Sequence, residues 1–164
     1  MENIVTSYTF TEEENTVKLT LNSQINNFNK MFLDCKNIYE IKFLNFDSSN
    51  INQFSEVFKG CNKLKSIDLS DWDISGVTEI NSLFENCYAI TSIELPNFKN
   101  SKINTMNRVF CKCQKLTSID LSRLDTSQVT NMGNLFNDCK ELASINLSNF
   151  NTSKLVDFNN MFYN

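Results

Sequence analysis

Three carboxylates stand at equal intervals in this chain: Asp68, Glu94 and Asp120 are 26 residues apart, with Lys42 and Asn146 one interval beyond on either side. Serines flank the column. Ser66, Ser92, Ser118 and Ser144 come two residues before it, and Ser70, Ser122 and Ser148 two residues after. Carboxylates in line with hydroxyls beside them can hold a divalent cation or meet a basic partner protein. A plainer reading makes them a solvated face. At a strand spacing of ~4.8 Å, neighbouring carboxylates repel by only about 0.8 kcal/mol in water, so no ligand is needed to explain them.

A second set with chemical potential is the cysteines. Cys35, Cys61, Cys87, Cys113 and Cys139 again repeat at 26, and Cys111 lies off the ladder. Disulfides or a thiolate metal site are one possibility; a buried column of free thiols is the other. If the ladder sits on helices packed side by side at about 8–10 Å, its Cα atoms exceed the ~7 Å reach of a disulfide. No close CxxC pair suits zinc. The spacing therefore predicts free buried thiols and no metal, with Cys111 projecting elsewhere and reacting first. The aromatic column Phe46, Trp72 and Phe98 could stack nucleic-acid bases, but without interleaved Arg or Lys it reads as core.

Several chemistries are absent. The chain has no histidine, so Ser-His or Cys-His activation and imidazole metal ligation are excluded. With 3 Gly and 1 Pro it holds no Gly-rich phosphate loop. A formal net charge of -4 argues against non-specific nucleic-acid binding. No apolar run approaches the ~20 residues of a membrane span. The expectation is a protein with no cofactor and no catalytic residues.

The elements that must position these residues follow from the repeat. Phe32, Phe58, Phe84, Phe110, Phe136 and Phe162 share the period of 26, the mark of stacked units that bury one continuous core. Within one unit, Leu64, Ile67 and Leu69 alternate with polar residues as a half-buried strand does. Val77, Ile80, Leu83, Phe84 and Cys87 then recur at offsets of a helical face. Ser75 is the expected cap of that helix, with Ser49, Ser101, Ser127 and Ser153 equivalent, and Asp73, Asp47 and Asp125 share the job or make a turn. Between strand and helix, Phe46, Trp72, Phe98, Leu124 and Phe150 fill the interior. The fold class expected is α/β: a solenoid of stacked strand-turn-helix units with a parallel sheet on one face and helices on the other, in which the L-x-x-L-x-L of each unit resembles leucine-rich repeats.

The two ends differ. Residues 1–23, with "IVTSYTF" and "TVKLTLN" around the polar "TEEEN", read as an N-terminal β-hairpin cap, and residues 24–164 as the repeats, in one domain overall. After the last strand, "KLVDFNNMF" leaves Leu155, Phe158 and Met161 facing nothing, so either further repeats follow in the natural protein or this end docks against a copy of itself.

The repeat resembles the BspA-type leucine-rich repeats, whose variants run MFxxCxxLxxLDLSxFDTSxVTNM. "MFLDCKNIYEI", "VFKGCNKLKSIDLSDWDIS", "LSRLDTSQVTNM" and "LFNDCKELASINLSNFNTSKLVDFNNMF" all match, and the likeness covers residues 24–164. It implies a parallel-sheet solenoid on the surface of, or secreted from, bacterial or protist cells, serving adhesion and partner binding without catalytic residues. As written the chain carries no secretory leader, lipobox or anchor, which on its own terms reads as cytoplasmic. The function expected is a non-enzymatic protein-binding module using Ser66, Asp68, Ser70, Ser92, Glu94, Ser118, Asp120, Ser122 and Asn146 on its strand face. The alternative is a structural, self-assembling element that docks through its uncapped C-terminal end.

Overall fold

The computed structural model describes residues 25–43, 46–96, 98 and 101–164; the expected hairpin cap of residues 1–23 lies outside them. Within the described part, the chain winds into coils of 26 residues. Successive coils are joined by backbone hydrogen bonds along two sides.

On the first side lie four short strands, β1 (Ser66–Asp68), β2 (Ser92–Glu94), β3 (Ser118–Asp120) and β4 (Ser144–Asn146). β1 pairs β2 and β3 pairs β4, both parallel and in the register of the repeat, Ile67 beside Ile93 and Ile119 beside Ile145. A bridge from Glu40 to Ser66 extends the first pair toward the N-terminus. Each strand buries its central isoleucine more than its two polar neighbours, as alternation requires. β2 and β3 are not hydrogen-bonded. The interruption falls in the unit where Pro96 stands in place of the serine that follows the other strands. Asp68, Asp120 and Asn146 each accept the N–H of the serine two residues on, closing a turn. Proline has no N–H to offer Glu94.

The second side overturns the helical expectation. Among the described residues there is no helix, so the fold is not an α/β solenoid. The segment from Val77 to Cys87 is instead a run of overlapping turns. Leu83, Glu85 and Cys87 donate to the carbonyls three residues back, while Ser82, Phe84 and Asn86 donate to Asn107, Val109 and Cys111 of the next coil. A helix would send every N–H to its own chain four residues back. Positive φ angles at Ser82 (55°) and Asn86 (63°), repeated at Arg108, Lys112, Asn134 and Asp138, put left-handed residues where a helix admits none. Gly60 (φ 74°) occupies one of these positions. The serine caps expected for that helix are corrected too: the serines donate, and the aspartates make the turn that was their alternative role. Asp47, Asp73, Asp125 and Asn151 take the N–H of Ser49, Ser75, Ser127 and Ser153.

The core runs between the two sides. Its spine is the phenylalanine column, whose rings stack nearly parallel from Phe32 through Phe58, Phe84, Phe110 and Phe136 to Phe162, with centroids 5.3–6.0 Å apart and planes within 5–9°. Beside it the ladder thiols of Cys61, Cys87, Cys113 and Cys139 donate to the carbonyls of Phe32, Phe58, Phe84 and Phe110 at 3.0–3.2 Å. Trp72 is buried among Phe28, Phe43, Phe46 and Phe54 and is a core residue.

Candidate functional site

The strand face carries the residues that the sequence singles out. Ser66, Asp68, Ser70, Ser92, Glu94, Ser118, Asp120 and Asn146 are exposed, and Ser122 is half-buried. Parallel pairing sets Asp68 beside Glu94 and Asp120 beside Asn146. The stripe is two pairs rather than one unbroken row, because β2 and β3 do not pair. Lys42, at the head of the column, pairs with Glu40 at 3.1 Å.

Each aspartate is already engaged locally. The Ser70 hydroxyl and N–H hold the Asp68 carboxyl below its usual range, and Ser122, with Arg123 and Asn146 behind it, does the same for Asp120. The carboxylates are therefore fixed in orientation and ionised at neutral pH. Among the described residues no three His, Cys, Asp or Glu side chains converge as metal ligands. The face suits an extended polar contact rather than an enclosed small molecule. A cavity of about 10 Å³ under Leu95, Phe98, Leu121 and Leu124 is the size of a single water.

The cysteines are free, as the spacing predicts, but not for the reason it gives. With no helices, the coils approach at strand spacing, well inside disulfide reach. What occupies the thiols of Cys61, Cys87, Cys113 and Cys139 is a bond to the backbone of the preceding coil. Burial pushes Cys61 and Cys139 up to about 12 and Cys87 and Cys113 well above the ordinary thiol value. Cys111 does lie off the ladder, yet it is buried; Cys35 is the thiol left half-exposed.

Two features escaped the sequence reading. Glu85, on the turn side, is largely buried between Lys59 (3.0 Å) and Arg108 (3.5 Å), the first an ion pair whose angle falls short of a hydrogen bond. Burial raises its carboxyl, but Lys59, Ser82 and Arg108 outweigh that and leave it lowered. A Lys–Glu alternation at 59 and 85, one period apart, was its only signal. The second feature is the breadth of the exposed end. Phe158 is 62 % exposed as expected, while Leu155 and Met161 pack partly against the core. Phe162 (53 %), Val156 (81 %) and Tyr163 (68 %) are exposed as well. Phe162 was legible as the last ring of its column. Val156 and Tyr163 replace polar Thr130 and Asn137 of the coil before.

Stacked 26-residue coils, zipped by parallel hydrogen bonds on two sides and filled by aromatic and thiol columns, define a repeat protein with one polar strand face. The chain belongs to the family described as "Mycoplasma protein of unknown function, DUF285", whose model matches residues 1–95 and again residues 89–164. No curated protein and no solved structure matches it. Among the described residues no helix is long and apolar enough to cross a membrane.

Proposed function

We propose that this chain is a non-enzymatic protein-binding module that offers its strand face to a partner protein. The observation that supports this most is the fixing of Asp68 and Asp120 by their own turns, on strands tied into the coil stack. Charges held in advance lose little conformational freedom on binding, so a basic partner surface gains most of their attraction. The likeness to BspA-type repeats extends the proposal to adhesion at a cell surface. The test is retention of partner proteins on the immobilised chain, compared with the variant carrying Asp68→Asn, Glu94→Gln and Asp120→Asn. Loss of the retained protein, with an unchanged unfolding midpoint, is expected. Equal retention by both forms refutes the strand face.

A second reading has its own support in the exposed apolar side chains Val156, Phe158, Phe162 and Tyr163. In it the chain is a structural, assembling element, and its C-terminal coil is a docking end. Light scattering across a range of concentrations tests it, with a Phe158→Asp variant as control.

A further inference from the structure

The strand side and the turn side of the stack disagree at one junction. Between β1 and β2, the N–H groups of Leu69 and Thr91 donate to the carbonyls of Glu94 and Lys65, both at 2.9 Å. Between β3 and β4, Leu121 and Ala143 donate in the same way to Asn146 and Thr117, at 3.0 and 2.9 Å. The equivalent bonds between β2 and β3 would run from Leu95 to Asp120 and from Thr117 to Thr91. Among the described residues neither is made, and the two strands do not pair. The turn side of the same junction is closed in full. Ile80, Ser82, Phe84 and Asn86 donate to Thr105, Asn107, Val109 and Cys111 at 2.8–3.3 Å. The Asn81 side chain adds two bonds across it, accepting from the Thr105 hydroxyl and the Asn107 N–H, both at 2.9 Å. Arg108 reaches Glu85 there at 3.5 Å.

The core is looser between these two sides than elsewhere. Phe84 and Phe110 stack at 6.0 Å, the widest step of the ring column, whose other steps are 5.3–5.7 Å. The cavity of about 10 Å³ lies at the same level, with Leu83, Leu95 and Phe98 on one wall and Phe110, Leu121 and Leu124 on the other. A junction bonded along one side alone bends about that side. Opening this one on the strand side breaks no strand hydrogen bond, whereas opening either flanking junction breaks a ladder of them. We infer that the seam between β2 and β3 is a hinge, at which the coils before it and the coils after it swing apart on the strand side with the turn side as their spine. The hinge goes beyond the binding proposal, since it operates whatever the strand face meets. Asp68 and Glu94 ride on one body, Asp120 and Asn146 on the other. Each pair keeps its own spacing while the distance between the pairs changes. The seam thus sets the pitch of the polar face, and a partner touching both pairs fixes it.

Paired nitroxide labels on the full chain test this by pulsed electron paramagnetic resonance, with Cys35→Ser removing the half-exposed native thiol. Lys42→Cys with Asn146→Cys spans the seam on the strand side, and Asn26→Cys with Thr130→Cys spans it on the turn side. All four positions are exposed. Each pair lies four coils apart, about 19 Å at the strand spacing. Both pairs sit on the same two coils, so fraying of either coil widens both distributions alike. The strand-side distance distribution is expected to be at least twice as wide as the turn-side one. Equal widths overturn the hinge and leave the strand-face proposal standing. Should a labelled variant fail to fold, amide exchange on the unaltered chain decides. Leu95 and Thr117 are expected to exchange at least tenfold faster than Leu69 and Ala143, with Ser82 and Phe84 still protected. Equal protection of all six amides overturns the inference.

Discussion

The ring column makes a quantitative demand on stability. Phe110 is 1 % exposed and lies between Phe84 at 6.0 Å and Phe136 at 5.3 Å, whereas Phe162 is 53 % exposed with Phe136 alone at 5.6 Å. Truncating a buried phenylalanine to alanine costs about 3–5 kcal/mol in lost burial and cavity. Each aromatic pair adds about 0.5–1.5 kcal/mol beyond its area. Phe110→Ala removes two such pairs from a closed site and belongs at the upper end, about 5 kcal/mol. Phe162→Ala removes one pair and about half the burial, for about 1–2 kcal/mol. With a urea slope of ~2 kcal/mol per molar, the midpoints fall by ~2.5 M and by less than ~1 M. Equilibrium unfolding followed by far-ultraviolet circular dichroism measures both. A double-mutant cycle on Phe84 and Phe110 is expected to return about 0.5–1.5 kcal/mol of coupling. Equal costs at Phe110 and Phe162, or no coupling between Phe84 and Phe110, refute stacking as the spine of the core.

Three further outcomes follow from the same geometry. In native protein at neutral pH, a thiol reagent is expected to modify Cys35 first and to spare Cys61, Cys87, Cys113 and Cys139, all six reacting in denaturant; fast reaction of any of these four contradicts the thiol-to-carbonyl ladder. Serine N–H and hydroxyl groups hold Asp73 and Asp125 below the usual carboxyl range, so the unfolded chain takes up protons at higher pH than the folded one. Their contribution is complete above the unfolded value of ~3.9 and is lost as pH falls through the lower folded values. Asn151 closes the same turn without a titrating group, so Asp73→Asn with Asp125→Asn is expected to flatten the acid limb of the stability profile. An unchanged limb refutes that assignment. Glu85→Gln leaves Lys59 and Arg108 without their shared carboxylate and is expected to cost about 1–3 kcal/mol by urea unfolding; a neutral result shows that the buried pair carries no net stability.

What the sequence disclosed was the period, the strands and the identity of the core columns. The alternation around Ile67, Ile93 and Ile119 admits only a half-buried strand. Phe46, Trp72 and Phe98 keep a register that only an interior explains. The helix was misread for a definite reason. A run of overlapping turns closed by bonds to the third residue back buries Val77, Ile80, Leu83, Phe84 and Cys87 at offsets that a helix would also use. A contrary signal stood in the column Asp34, Gly60, Asn86, Lys112 and Asp138, which is rich in residues that accept a positive φ. The disulfide argument inherited the same error, since it borrowed helix spacing for coils that lie at strand spacing. The polar stripe was legible residue by residue, but its division between β2 and β3 lies in backbone pairing that no side-chain column displays.

Closure of every junction by bonds at one fixed offset has a consequence for how such a chain can change length. A deletion or insertion of a single residue shifts the donors and acceptors of the altered coil against those of its neighbours and turns its ring out of line. Removal or addition of a whole unit leaves each remaining junction as it was. The chain thus works as a ruler graduated in steps of 26 residues, each step lengthening the stack by about 4.8 Å and adding one row to its polar flank. Gene duplication in that unit enlarges the surface without requiring a new folding solution.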